Sequence, residues 1–321
     1  MRGLPSGDAA MSPPPHDRRA LAWMLAGAAL IGTNGLMVRF ADTPPTISAF
    51  YRMLFAGVLL VLYVRLSGRW VALPRALWAW SLLPTAAFAA DLWLWHRSIL
   101  LVGPGLATLL ANTQVFFMAL AGVWFYRERI GPRFLAGIAL AFAGLWLLLG
   151  GNWAALPDGY RWGVWLGLAT GVAYAAYNLG LKRMQHEALV AAARRDPDAG
   201  APVAQVLAMV SLGCAGLLAL VGVAEDASFS IPSLRSLAIL LALAAFGHCL
   251  SWILISKAMR HLSVALVGLL LLMQPIVAFL LDVLLLERAT TPREWWGLAF
   301  SLAGIFLASL KGRTRLPEPP V

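Results

Sequence analysis

The sequence predicts an all-α integral membrane protein with ten transmembrane helices in two inverted five-helix repeats. Three observations carry that prediction. The first is charge poverty: of 321 residues 60% are hydrophobic and only 12% charged, with a mean hydropathy of +0.76, whereas a soluble domain carries about 25% charged residues. So few charges cannot cover a water-facing surface. The second is the division of the apolar sequence into runs near the ~20 residues that a helix needs to cross the hydrocarbon. The third is an internal repeat at an offset of 160 residues.

The elements follow in order. Residues 1–19 are Pro-rich and polar, end in Arg18 and Arg19, and read as a disordered cytoplasmic tail. The apolar run behind them outlasts the ~7–15-residue core of a signal peptide and no small-residue cleavage site follows, so it reads as an uncleaved first span. Breaks at Pro, Gly and charge clusters then give spans at 20–40, 46–65, 76–98, 104–126, 133–150, 162–182, 202–223, 234–256, 263–286 and 294–310. The connection at 184–201 is long and of mixed charge, which predicts a solvated loop. "VGPG" at 102–105 marks a sharp helix start, and Pro275 predicts a kink that frees a backbone carbonyl. Gly163, Gly167 and Gly171 repeat every fourth residue in the sixth span, a spacing that permits close helix approach. Residues 311–321 read as a second cytoplasmic tail.

Charge sets the orientation. With both termini in the cytoplasm, 18 of the 25 Lys and Arg residues fall in inside segments, which is the positive-inside bias. The net charge of +10 is therefore a topology signal, and no nucleic-acid partner is expected. The repeat divides the chain into units at 20–150 and 151–310. At the 160 offset Gln114 meets Gln274, Pro132 meets Pro292, Arg133 meets Arg293, Gly137 meets Gly297, and Ala143–Gly144 meets Ala303–Gly304. Glu128–Arg129 lies one residue out of step with Glu287–Arg288. An odd number of spans per unit turns the second upside down. Inverted repeats are a transporter signature, with the substrate site near the bilayer midplane.

The stretches "LIGTNGLMVRFA", "ISAFYRMLFAG", "DLWLWHRSILLVGPGLATLLANTQVFFMALAGVWFYRERI" and "AMRHLSVALVGLLLLMQPIVAFLLDVLLLERAT" resemble the EamA-type members of the drug/metabolite transporter superfamily. The resemblance covers nearly all of 20–310. Its most specific parts are the Glu-Arg after the fourth and ninth spans, with Gly nine or ten residues on, and Arg52 in the second span. It implies ten helices and export of amino acids or other small metabolites. Val115 stands where many relatives have proline, while the ninth span keeps Pro275.

Depth along the helices picks out the candidate site. At ~1.5 Å rise per residue, Arg52 lies about 6 Å outward of its midpoint, Asp91 about 6 Å, Asn34 about 5 Å and Asn112 about 4–5 Å. Four polar groups from four spans thus share one layer. A charge at helix centre costs ~2.5–3.5 kcal/mol on insertion scales, and opposite charges at one depth offset that if they face each other. Arg52 is accordingly the expected partner of Asp91, either as a lock between spans two and three or as part of a solute path. In the second half Tyr174, Tyr177, Asn178, His248 and Gln274 lie at or inward of the midplane. Trp95 and Gln114 complete the candidate set, Trp95 with the tyrosines as an aromatic wall. Asp91 aligns with Ser251, so the second half lacks the carboxylate. Asp282 is expected to reach the outer interface.

The expected function is a secondary transporter, an exporter or facilitator of small polar metabolites with amino acids the leading class. It would work by alternating access around a midplane cavity. A carboxylate-plus-ammonium ligand suits a layer offering both Arg and Asp. The alternatives are a membrane-embedded enzyme, a non-transporting receptor or scaffold, and a carrier of drugs or nucleosides. No HExxH, GxSxG or phosphate-cradling Gly loop supports an enzyme. Cys214 and Cys249 lie in apolar runs without ligand spacing, so no metal or cofactor is expected. The expected partners are a small-molecule solute and the lipid bilayer of the inner membrane, with proton coupling through Asp91 or His248 left open.

Overall fold

The computed structural model describes residues 18–68, 70–126, 131–149, 153–194, 202–259, 261–262 and 270–309. The Glu128–Arg129 pair, the start of the ninth run at 263–269, the C-terminal tail and most of the N-terminal one lie outside the described residues. The described residues contain no strand, and their helices make ten spans.

Local chemistry explains the boundaries. Pro45, Pro104, Pro132 and Pro292 each open a helix, where a missing N–H costs nothing. They begin the second span (Pro45–Leu66), the fourth (Pro104–Ala111 and Gln114–Tyr126), the fifth (Pro132–Leu148) and the tenth (Pro292–Ser309). The third span, Ala76–Val102, ends at Gly103, whose φ of 86° is a conformation that glycine adopts without penalty. The seventh span is Val203–Ala224. Four spans are interrupted. The first is Arg18–Gly32 and Asn34–Phe40, and the fourth breaks at Asn112–Thr113. The eighth, Leu234–Ala244 and Ser251–Met259, carries a π-helical turn at Ala245–Leu250. The ninth contains Met273–Leu285, with a turn at Leu272. Asn112 and Leu272 are equivalent at the 160 offset, so the two repeats break at the same place. Pro275 therefore sits in the first turn of a half-helix, where it is tolerated.

Equivalent spans pack antiparallel, which is the inversion in physical form. In the fifth and tenth spans Gly137 lies against Gly304 and Gly144 against Gly297. The offset converts one contact into the other. A Cβ at Gly297 would stand 2.7 Å from the Gly144 carbonyl oxygen, so the backbones touch with no side chain between them. The pseudo-two-fold axis passes beside Ala141 and Ser301, themselves equivalents, where Ser301 Oγ donates to the Ala141 carbonyl at 3.3 Å. Spans two and seven repeat the arrangement, with Gly57 on Leu212 and Gly222 on Ile47.

Between these pairs stand two three-helix bundles. The sixth span, Asp158–Ala193, runs antiparallel to the third. Its Gly163 meets Leu101 and Val102, its Gly180 meets Pro84, and Gly171 abuts Thr113 of the fourth. Spans three, four and six form bundle one. Spans one, eight and nine form bundle two, with Gly27 on Ile255 and Gly32 on Val277. Large apolar side chains such as Leu62, Leu220 and Leu284 face outward, with Trp78 and Trp80 at one end and Trp162, Trp165 and Trp296 at the other. That surface suits lipid with an aromatic girdle at each interface.

One expectation fails here. Residues 184–193 are not loop, because the sixth helix continues to Ala193. Met184, Ala188 and Ala192 recur every fourth residue and are buried, Met184 and Ala188 among side chains of spans two, three and seven. Arg183 pairs with Glu187 at 2.6 Å, one turn on. An apolar stripe and an i,i+4 ion pair carry the helix past the membrane.

Candidate functional site

A cavity of about 60 Å³ lies between the bundles, lined from seven spans by residues that include Asn34, Arg52, Asp91, Trp95, Thr108, Asn112, Thr170, Tyr174, Trp252 and Gln274. That is room for about four or five waters. Seven of the eleven residues singled out from the sequence line it. A smaller recess of about 20 Å³ between spans four, five, six and ten is walled by Leu, Ile, Phe and Ala, with Thr113 and Ser301 its polar members.

The broken helices deliver the polar groups. Asn34 opens the second half of span one, and its Nδ2 donates to the Gly247 carbonyl in the π-helical turn at 3.0 Å. Asn112, at the break in span four, donates through Nδ2 to the Thr108 carbonyl at 2.8 Å. Thr113 Oγ1 donates to the Leu110 carbonyl at 2.6 Å, so the fourth span breaks with no proline at the break. Three cavity atoms are buried without a hydrogen-bond partner: Asn34 Oδ1, Arg52 Nε and Thr108 Oγ1. Buried polar groups are nearly always satisfied; the three orphans belong to residues of one cavity wall and leave hydrogen-bonding capacity unspent beside it.

The expected Arg52–Asp91 contact is not formed. Among the described residues the ion pairs within 4.0 Å do not include it, although both side chains line the cavity and remain within electrostatic reach. Depth alone predicted the pair. The two helices turn these side chains toward shared space rather than toward each other. Arg52 lies with its guanidinium carbon 5.6 Å from the Trp95 ring centroid, a cation–π contact.

Four predicted residues stand behind the wall. Asn178 Nδ2 donates to Gln114 Oε1 at 2.7 Å and to the Tyr174 carbonyl at 2.9 Å, which fixes the backbone that presents Tyr174. Tyr177 is fully buried, its ring 4.1 Å from Phe88 and 6.0 Å from Tyr174. His248 sits 5.9 Å from the Phe88 ring, with Nε2 3.4 Å from Ser211 Oγ and Nδ1 unpartnered. Phe88 is the aromatic wall between this group and the cavity. The sequence reasoning passed over Phe88, Thr108, Thr170 and Trp252. Helical spacing was the available signal: Thr108 is four residues before Asn112, Thr170 four before Tyr174, and Trp252 four after His248.

Two polar networks join the elements at the end that the charge bias predicts to be outer. Arg97 pairs with Glu225 at 2.6 Å, Thr46 Oγ1 donates to the same carboxylate at 2.6 Å, and Trp93 Nε1 does so at 2.8 Å. Partial burial pushes the Glu225 carboxyl up, but the hydrogen bonds from Thr46 and Trp93 and the Arg97 charge outweigh it and hold it below the ordinary carboxylate range. The second network corrects another expectation. Asp282 does not reach the interface; it is 3% exposed, against Gly103, which joins spans three and four, and the Gly105 N–H of span four. Its neighbour across the bundle gap, not lipid headgroups, covers it.

Comparison with known proteins follows the same outline. The model of the EamA-like transporter family matches residues 18–150 and 161–310. An uncharacterized transporter of Synechocystis is 23% identical over 309 residues, covering 92% of this chain and 89% of that protein. The uncharacterized transporter YwfM of Bacillus subtilis is 25% identical over 296 residues, covering 91% and 94%. A solved crystal structure, 19% identical, superposes with a TM-score of 0.64 over 91% of this chain and 98% of its own, a likeness of fold.

Proposed function

The chain belongs to the EamA-like transporter family, and from that premise we propose that it is a secondary carrier exporting a small zwitterionic metabolite, with amino acids the leading class. One observation carries the proposal: Arg52 and Asp91, of opposite charge, line one cavity without contacting each other. A ligand carboxylate would meet Arg52, with the Asn34 and Asn112 amides beside it, and a ligand ammonium would meet Asp91. Each charge would then gain a partner that the empty protein withholds, which offsets the ~2.5–3.5 kcal/mol cost of burying it in a membrane helix. Phe88, Trp95, Tyr174 and Trp252 would enclose the rest of the solute. The cavity admits little more than a few waters, so a solute enters and leaves only as the two bundles part.

In this reading the two bundles, each built from helices of both repeats 20–150 and 151–310, rock against each other, both termini face the cytoplasm, and the membrane is the inner one. Gln114, Tyr177, Asn178 and His248 support the wall and do not touch solute. Counterflow in proteoliposomes tests it. An amino acid among a panel should exchange across the bilayer chemically unchanged. Recovery of a modified solute would replace the carrier with an enzyme, and no flux of any zwitterion would remove the proposal.

A further inference from the structure

Asp282 is a buried carboxylate that the solute cavity does not use. It stands where bundle two meets bundle one. Close contacts between the bundles at this end are Gly35 on Pro104, Gly105 on Phe279 and Gly103 on Asp282, all between the start of span four, with the Gly103 joint before it, and spans one and nine. Gly103 has φ 86° and a Cβ there would stand 2.7 Å from Asp282 Oδ2, so the backbone lies directly on the carboxylate.

Its partners are few and long. The Gly105 N–H donates to Oδ2 at 3.4 Å. Arg288 Nη1 is 3.7 Å away and itself lacks a hydrogen bond, because the other guanidinium nitrogen, Nη2, is held by Glu294 at 2.6 Å. Arg39 of span one also acts on Asp282, and Tyr160 of span six lies within reach of Asp282, Arg288 and Glu294. The charged form is what grips: an ionised carboxylate attracts Arg288, Arg39 and the N-terminus of the Pro104–Ala111 half-helix, whereas the neutral acid loses the charge attraction and keeps only its dipole and the weak hydrogen bond from the Gly105 N–H. The clamp is also one-sided. At the 160 offset Asp282 corresponds to Gly122, so the repeat supplies no matching carboxylate at the opposite gate.

We propose that Asp282 is a proton-binding site at the outer gate: ionised, it clamps span nine to the start of span four, and protonation releases the clamp and opens the cavity on that side. A proton taken up from the outer solution would then be coupled to opening, apart from Asp91 and His248. The proposal shares with the functional reading only the premise that the bundles part.

Spin labels at Gly159→Cys and Ala289→Cys, exposed positions on the two sides of the gate, in full-length protein lacking Cys214 and Cys249 and reconstituted without solute, give the gate distance by pulsed electron resonance. Because no solute is present, failure here is separate from failure of the zwitterion reading. The long-distance population should grow as pH falls from mildly alkaline to mildly acid. Asp282→Asn should hold the long distance at every pH, and Asp282→Glu should restore the response. Should the Asn variant not fold, Arg288→Gln decides: loss of the facing cation should move the midpoint to higher pH. Glu294→Gln should keep the response. A gate distance indifferent to pH, a full response in Asp282→Asn, an unmoved midpoint in Arg288→Gln, or loss of the response in Glu294→Gln would each overturn the proposal.

Discussion

Substituting Gly297 by alanine probes the crossing on which the inverted architecture turns. The new methyl would stand 2.7 Å from the Gly144 carbonyl oxygen and 2.8 Å from the Leu148 nitrogen, where ordinary contact begins at 3.4 Å. Both obstacles are backbone, so no side chain can swing aside, and spans five and ten must part by roughly 0.7 Å, the difference between those two distances. Overpacking of this kind costs about 1–3 kcal/mol, against the ~0.5–1 kcal/mol by which alanine otherwise favours a helix. The net expectation is a loss of about 1–2 kcal/mol. Gly137, its equivalent, meets Gly304 and Ala308 backbone atoms at the same 2.7 Å and should lose as much. Gly216 in span seven has nothing within 4 Å, so Gly216→Ala should match or exceed the parent. Thermal unfolding midpoints in one detergent compare all three. If Gly297→Ala is as stable as Gly216→Ala, the backbones do not touch at this crossing and the antiparallel pairing is wrong.

Other consequences are open to measurement. Glu225 is held below the ordinary carboxylate range in the folded protein, so its stabilising contribution is full above the unfolded-state value and is lost as pH falls through the lower folded one. Unfolding midpoints of the parent and Glu225→Gln should therefore differ at neutral pH and converge in acid; a gap that does not change with pH would refute this. Gln114→Leu removes one interhelical hydrogen bond worth ~0.6 kcal/mol and should leave folded yield nearly intact, and a collapse in yield would mean that Gln114 carries more than the Asn178 contact. Single cysteines at Asn34 and Asn112 in a Cys214- and Cys249-free background should react with small water-soluble thiol reagents, and silence at both in active protein would place the water-filled path elsewhere. A reporter fused after Val321 should be active only in its cytoplasm-dependent form, and activity on the other side would overturn the orientation.

Much of the architecture was legible because it is written in run length and periodicity. Ten apolar runs gave ten spans, and the coincidence of Gly137 with Gly297 and of Gly144 with Gly304 marked the repeat, while their crossing, Gly137 on Gly304 and Gly144 on Gly297, came only from the structure. Depth brought Asn34, Arg52, Asp91 and Asn112 to one level, and the structure places all four around one cavity. Depth is a single coordinate, however. It says how far along a helix a residue lies and nothing about which way it faces, so Arg52 and Asp91 were rightly matched in height and charge, but the direct contact expected of them is not formed. Asp282 was misplaced for a related reason: what covers it is span four, about 180 residues away in sequence, and no local pattern announces that neighbour. The break at Asn112 escaped notice because side chains bonded back to their own helix make it, without a proline. The helix over 184–193 hid because the charges, proline and glycine of 194–201 set the character of the whole stretch, although 184–193 itself is mostly Ala, Leu, Val and Met.

The central claim is that Arg52 and Asp91 receive opposite charges of one solute, and counterflow competition in proteoliposomes tests it most directly. For a transported amino acid, the competitors are its decarboxylated amine and its deaminated acid, set against the parent, Arg52→Gln, Asp91→Asn and the double variant. The parent should discriminate against both analogues. Arg52→Gln should lose its preference for the amino acid over the amine, Asp91→Asn its preference over the acid, and the double variant should fold but carry no flux. Recovery of flux together with yield in the double variant, or singles that lose rate while keeping the parent's discrimination, would contradict the claim and make the two residues a structural lock.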